Sequence, residues 1–308
     1  MIDLIPIFLT VAGLCLFETV CSIDNAVINA DVLSTMKQKA RKWFLLWGLF
    51  FAVFVVRGLL PWLIVWMTMP SLGPVEAFMS AYSSDPAVIE AIEASKPVLL
   101  IGGGTFLIFL FFHWLFLEPK HFGLRGESFI SSQGVWFYAV VSVLLTFLVW
   151  LAINRNPLMA LSAVTGSTAF FITHGFKQNA EEQERRLMKG DMSDISKILY
   201  LEVIDTTFSI DGVIGAFAFT LSIPLILIGN GLGAFVVREF TIRNIENIKK
   251  YKYLKNGAMY SILCLGTIMV AESFGLQVLG SEIPNWLSPV VTFIVIGYFL
   301  YKSVKGVK

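Results

Sequence analysis

Hydrophobic residues make up 56% of the 308 residues and charged residues only 15%, with a formal net charge of +1. Soluble domains carry about 25% charged residues, so the composition excludes an ordinary soluble domain and points to an all-α, polytopic membrane protein. The near-neutral balance, with no basic stripe interleaved with aromatics, excludes a nucleic-acid surface. The three cysteines (Cys15, Cys21 and Cys264) all lie in apolar stretches and form no disulfide framework.

Nine apolar segments are long enough to cross about 30 Å of hydrocarbon: roughly 4–35, 43–69, 97–118, 135–153, 157–176, 198–222, 223–243, 256–275 and 286–302. The first lacks the basic flank of a cleavable signal and is expected to remain in the protein. The second and third follow a basic turn and an acidic loop at 70–96. The fifth is the weakest, being rich in Ser, Thr and Gly. A stretch of mixed charge at 177–197 reads as a solvated helix. The sixth and seventh meet with almost no loop at Pro224. The ninth stands alone at the C-terminal end. Gly102-Gly103-Gly104 precedes no phosphate-loop Lys and reads as close helix packing.

The basic residues set an orientation. Of the 23 Lys and Arg, nineteen fall in or at the edges of the connections 36–42, 119–134, 177–197, 244–255 and 303–308. The alternate connections hold only Lys96 and Arg155, while Arg57 and Arg238 lie inside spans. The positive-inside rule then places the N-terminus outside and the C-terminus in the cytoplasm.

One motif occurs twice. Glu18-Thr19-Val20-Cys21-Ser22-Ile23-Asp24-Asn25 lies in the first span, and Asp205-Thr206-Thr207-Phe208-Ser209-Ile210-Asp211-Gly212 lies in the sixth. Both read acid, three residues, Ser-Ile-Asp. In the following spans, Gly48 to Arg57 aligns with Gly229 to Arg238, both ending Phe-Val-Val-Arg. Spans one and six run in opposite directions, so the repeat is inverted, as in many secondary transporters. The chain divides into repeat one (about 1–118), linker helices (about 119–197), repeat two (about 198–275) and an added helix (286–302), forming one transporter domain.

Asp24 precedes Lys37 by thirteen residues and Asp211 precedes Pro224 by thirteen. That is roughly 20 Å of helix, close to mid-bilayer. At about 32 residues the first span is too long for one straight crossing, so a break near Thr19–Ser22 is expected, with Ser22 and Ser209 capping second half-helices. A carboxylate in hydrocarbon costs about 2.5–3.5 kcal/mol on insertion scales. Four of them, Glu18, Asp24, Asp205 and Asp211, call for a cation. Their hard oxygens suit Mn²⁺, Ca²⁺ or Mg²⁺, and cavity size and rigidity decide among these. Ser22, Asn25, Glu202 and Ser209 are further candidate ligands. Arg57 and Arg238 are candidate counter-charges or snorkelling anchors. Proton exchange is a natural drive, because carboxylates must lose protons to bind metal.

The Asp24-Asn25 pair, Ile210-Asp211 and the Arg in each following span resemble the TerC family of bacterial integral membrane proteins. Ser209 to Phe217 resembles its branch reading Ser-x-Asp-Gly-Val-Ile-Gly-Ala-Phe. The resemblance covers most of the chain and is least at 70–96 and 119–197. It implies a LysE-type transporter of the bacterial inner membrane, with Asp24 and Asp211 essential for binding Mn²⁺. Its members are implicated in manganese export and in tellurite or alkaline-pH phenotypes. The main branch has Asp-Ser-x-Pro in its second half, whereas this chain has Asp211-Gly212-Val213-Ile214, a departure that bears on second-half coordination and on substrate.

The expectation is therefore a divalent-cation exporter, not an enzyme, with Mn²⁺ as substrate and the bilayer as its surroundings. The direction, coupling ion and oligomeric state stay open. Alternatives are a non-transporting scaffold for metal handling or tellurite resistance, and remotely an intramembrane aspartyl protease using Asp24 and Asp211. The protease reading lacks the flanking Tyr-Asp and Gly-x-Gly-Asp. A purely structural role, as helix caps or Arg partners, is the plainest alternative for the acids.

Overall fold

The structure is a computed structural model. It describes residues 4–305 apart from 49, 70, 81–82, 84, 121–122, 188–192, 249–250 and 278–282. The side chains of residues 24, 28, 31, 179–187 and 240–248 also lie outside the described set. Among the described residues the chain is helical, without strands. The helices are α1 (Leu4–Cys21), α2 (Ile23–Ser34), α3 (Gln38–Trp43), α4 (Leu60–Thr68), α5 (Pro74–Met79), α6 (Pro86–Leu117), α7 (Glu127–Ser131), α8 (Phe137–Ile153), α9 (Pro157–Leu187), α10 (Asp194–Ala216), α11 (Ile223–Ile248), α12 (Leu254–Ser273) and α13 (Leu287–Lys305).

Local chemistry sets many of the starts. Asp85 accepts the Ala87 backbone N–H at 2.9 Å ahead of Pro86, and Ser193 accepts the Ser196 N–H at 3.2 Å. These are side-chain caps for otherwise orphaned donors. Pro224 falls in the first turn of α11, where its missing N–H costs nothing. α6 differs from the expected span: its helix begins at Pro86, not near 97, and carries Pro97 inside. Much of the supposed acidic loop is thus helical.

Among the described residues, six helices are long and apolar enough to cross a membrane: Leu4–Cys21, Gln38–Thr68, Pro86–Leu117, Gly134–Ile153, Leu254–Ser273 and Leu287–Lys305. The segments 157–176, 198–222 and 223–243 fall in α9, α10 and α11. α9 is diluted by Ser, Thr and Gly, α10 carries Glu202, Asp205 and Asp211, and side chains of α11 beyond Glu239 are not described.

α6 is the central pillar. Its apolar stretch is 83% buried, against 22–50% for the other five, as expected of a helix that is hydrophobic all round. It packs along α9 and α12. At the α6–α9 crossing, a Cβ on Gly166 would lie 2.1 Å from the Gly102 carbonyl oxygen, and at the α6–α12 crossing one on Gly104 would lie 2.9 Å from that of Gly266. The glycines let backbones touch. Outward faces stay apolar, with Phe8, Trp47, Phe54, Val143, Leu161 and Leu199 all exposed. So broad an apolar surface needs a lipid solvent. Beside the pillar, α1 packs along α11, while α2, α10 and the helix joining α3 to α4 complete a second group that holds the site.

Candidate ion site

The helix from α3 to α4 is not a plain α-helix. Phe44–Gly48 and Phe51–Leu59 are π-helical, a wider winding that often marks functional positions. It carries Arg57, whose Nη1 donates to the i−5 carbonyl of Ala52 at 3.1 Å.

Glu18 and Arg57 form a sealed pair. Both are buried, at 0% and 2% exposure. Glu18 Oε1 accepts Arg57 Nε at 2.9 Å, Arg57 Nη2 at 2.6 Å and the Ser22 hydroxyl at 2.6 Å. Glu18 Oε2 is buried with no hydrogen-bond partner among the described residues. It rests against α10, where a Cβ on Gly212 would lie 2.3 Å away, and α11 approaches the side chain through Gly233. Only glycines leave room for this carboxylate.

Asp205 is placed differently. Its Oδ1 accepts the Asn25 amide, and its Oδ2 is 3.9 Å from Arg57 Nη1. The first acid of each motif therefore meets the eighth position of the other motif: Asp205 meets Asn25, and Glu18 meets Gly212. Asp205 lines a cavity of about 40 Å³ together with Ser22, Asn25, Asn29, Arg57 and Arg238, room enough for an ion or a few waters. Asn25 and Asn29 lie four residues apart on α2 and are both buried, at 3% and 9% exposure. Each has a side-chain oxygen with no hydrogen-bond partner among the described residues. Buried amide oxygens are normally satisfied, so two orphans beside one carboxylate form an incomplete set of hard donors.

Arg238, the counterpart of Arg57, makes no equivalent pair. Its guanidinium lies 5.0 Å from the Phe44 ring, and its buried Nη1 has no acceptor among the described residues. Glu202 does not line the cavity. Its two buried carboxylate oxygens have no hydrogen-bond partners among the described residues, and Oε1 lies 2.4 Å from where a Gly48 Cβ would be.

Two expectations need correction. The predicted cap at Ser209 is absent: α10 runs unbroken from Asp194 to Ala216, and the Ser209 hydroxyl donates to the Asp205 carbonyl at 2.5 Å, one turn back. A serine satisfied in this way has no need to open the helix. At Ser22 the helix is irregular, but the backbone bonds continue from Glu18 to Ala26, and the hydroxyl serves the Glu18 carboxylate instead of a backbone N–H. Of the four carboxylates expected to cluster, Glu18, Asp205 and Asp211 have described side chains. Among the described residues, no three of His, Cys, Asp and Glu gather to hold a metal. The Asp24 side chain lies outside the described set. Asp211 is bound by Lys177 of α9 instead, and both are mostly buried. Opposite charge is the cheaper partner at that depth.

Sequence reasoning missed Asn29 and Lys177. The Asn25/Asn29 spacing within an apolar stretch was a visible signal, whereas Lys177 was assigned to the solvated stretch. It also missed a contact outside this site: the His113 and His174 rings lie with centroids 3.7 Å apart, tilted 49° to each other. Glu272 of α12 pairs with Lys96 at 2.5 Å.

A family model described as "Protein of unknown function (DUF475)" matches residues 23–308. The chain belongs to the DUF475 family. The match begins inside the first motif, just after Ser22, and takes in α2, the Arg57 helix, α10 and α11. No curated protein and no solved structure matches the chain.

Proposed function

We propose that this DUF475 protein exports a hard divalent cation, Mn²⁺ foremost, by alternating access around the Asp205 cavity. The observation that carries the reading is the donor set: the Asp205 carboxylate beside two buried, unpartnered amide oxygens from Asn25 and Asn29. Oxygen donors of this kind suit Mn²⁺, Mg²⁺ or Ca²⁺ over softer metals. Glu18 takes up the charge of Arg57, and Arg238 sits over Phe44. Asp205, with its Oδ2 3.9 Å from Arg57 Nη1, is the less tightly held of the two acids and the one a substrate would compete for.

The wider architecture of the proposal has nine spans, two inverted repeats, an external N-terminus and a cytoplasmic C-terminus in a bacterial inner membrane. The reciprocal contacts of the two motifs, Asp205 with Asn25 and Glu18 with Gly212, support the repeat. The alternation of basic connections supports the orientation. Asp24 enters the donor set on its place in the first motif and on the TerC resemblance. Asp211 joins it only if its bond to Lys177 opens, which offers a step linking metal binding to proton or charge movement.

The test is metal flux in proteoliposomes, element by element. The parent is expected to move Mn²⁺, and Asn25→Ala combined with Asn29→Ala should lower the rate at least about tenfold, the change expected from losing about 1.4 kcal/mol of binding. Flux unchanged by both substitutions would remove the cavity from the pathway.

A further inference from the structure

A furrow runs between α3 and the first turns of α10, away from the ion cavity. It encloses about 570 Å³ and is walled by Ala40, Trp43, Ile195, Ile198 and Leu199. Its rim carries Lys37 and Lys39, opposed only by Asp194 among the residues lining it. Two latches fix the walls. Lys197 Nζ donates to the Thr35 hydroxyl at 2.9 Å, tying the α2–α3 turn to α10, and Arg41 donates from Nε and Nη2 to the Leu33 carbonyl at 3.1 and 2.8 Å.

The apolar walls extend along both helices toward the bilayer interior. On α10, Ile195, Leu199 and Val203 are 71%, 63% and 62% exposed. Their i, i+4, i+8 spacing makes one outward stripe. On the facing helix Trp43, Trp47, Phe50 and Phe54 are exposed as well. Lys37 and Lys39 stand at the start of a candidate span, with Trp43 one turn further in. Lysine followed by an inward indole is the pattern of a headgroup boundary.

We propose that this furrow binds an anionic phospholipid, with the phosphate on Lys37 and Lys39 and an acyl chain along Trp43, Ile198 and Leu199. The two lysines outweigh Asp194, so the site selects a net negative headgroup over a zwitterionic one, while the apolar walls demand a chain as well as a charge. The wall it occupies has the ion cavity on its other side. Phe44 and Leu45 follow Trp43 directly and line that cavity, and α10 carries Asp205. The lipid site nevertheless stands independently of any substrate assigned to the cavity.

The experiment uses the full chain purified into nanodiscs of equal phosphatidylglycerol and phosphatidylcholine, then released for native mass spectrometry. Two lysines at a membrane surface give about a thirtyfold preference for the anionic lipid. The parent should retain phosphatidylglycerol by that margin. The Lys37→Gln/Lys39→Gln double variant should retain the two lipids within about threefold of each other, and Lys305→Gln, at the far end of the chain, should behave as the parent. Ala40→Trp fills the furrow while keeping both lysines, and should lose the bound lipid. Equal retention of both lipids by the parent, or a preference that survives in the double variant, would overturn the proposal. So would competition by glycerol phosphate at the same concentration as the lipid, because it would show an anion site with no use for the chain.

Discussion

The two copies of the acid–Ser-Ile-Asp motif share four of eight residues and have opposite electrostatic fates. In the first, Glu18 is sealed: Arg57 and Ser22 place three donors on one oxygen, and Gly212 and Gly233 close around the rest. In the second, Asp205 faces a cavity with Asn25 as its close partner and Arg57 at 3.9 Å. The serines diverge too, Ser22 serving a carboxylate and Ser209 its own backbone. The difference teaches that a repeat conserves position, while the partners reaching in from other helices decide whether an acid is structural or available.

Breaking the sealed copy should have the largest effect. Arg57→Ala leaves Glu18 charged and alone in the interior, and removing one partner of a buried pair costs about 3–5 kcal/mol. Arg238→Ala, which removes no such pair, should cost far less, about 1 kcal/mol. Thermal unfolding of both variants in the same detergent checks the contrast. Adding Glu18→Gln should restore part of the Arg57→Ala loss, and equal losses at the two arginines would erase the distinction between the copies.

Next comes the reciprocal contact. Gly212→Ala puts a Cβ 2.3 Å from Glu18 Oε2 and should destabilise by about 1–3 kcal/mol through overpacking. Asn25→Gly, the mirror change, removes a bond to a charged acceptor worth about 1.5–3 kcal/mol. Its main expected effect is on metal flux. A Gly212→Ala variant as stable as the parent would show that Glu18 has room the structure does not give it.

A smaller effect is expected at the outer acid of the second copy. Lys177→Met deprives Asp211 of its partner and should lower stability by about 1–3 kcal/mol, read from the midpoint of thermal unfolding. Lys177→Arg should recover much of it. If Lys177→Met instead raised stability and abolished flux together, Asp211 would belong with Asp205 in the ion site.

The helical, membrane-spanning character was legible because long apolar runs admit few other structures. So were the glycine crossings and a helix start at Pro224, although α10 ends at Ala216 and residues 217–222 form a connection that the apolar run did not reveal. The acids could be found because charge in such runs is costly. Their partners could not. Lys177 lies 34 residues from Asp211, and Asn25 lies 180 from Asp205, so only folding brings them together. The π-helical winding around Arg57 and the Pro86 start of α6 were hidden for a related reason. A locally ordinary apolar sequence takes its winding and its ends from the helices it packs against.

In the proposed transport cycle Asp205, not Glu18, is the charge offered to a cation. Initial Mn²⁺ flux into proteoliposomes, compared for Asp205→Asn and Glu18→Gln, tests it most directly, with each rate normalised to correctly folded protein. The account predicts a fall of at least about tenfold in Asp205→Asn, a loss of about 1.4 kcal/mol or more in binding the ion. Glu18→Gln, combined with Arg57→Gln to avoid an unpaired guanidinium, should keep the larger share of the rate. Flux that survives the loss of Asp205 and vanishes with Glu18 would contradict it.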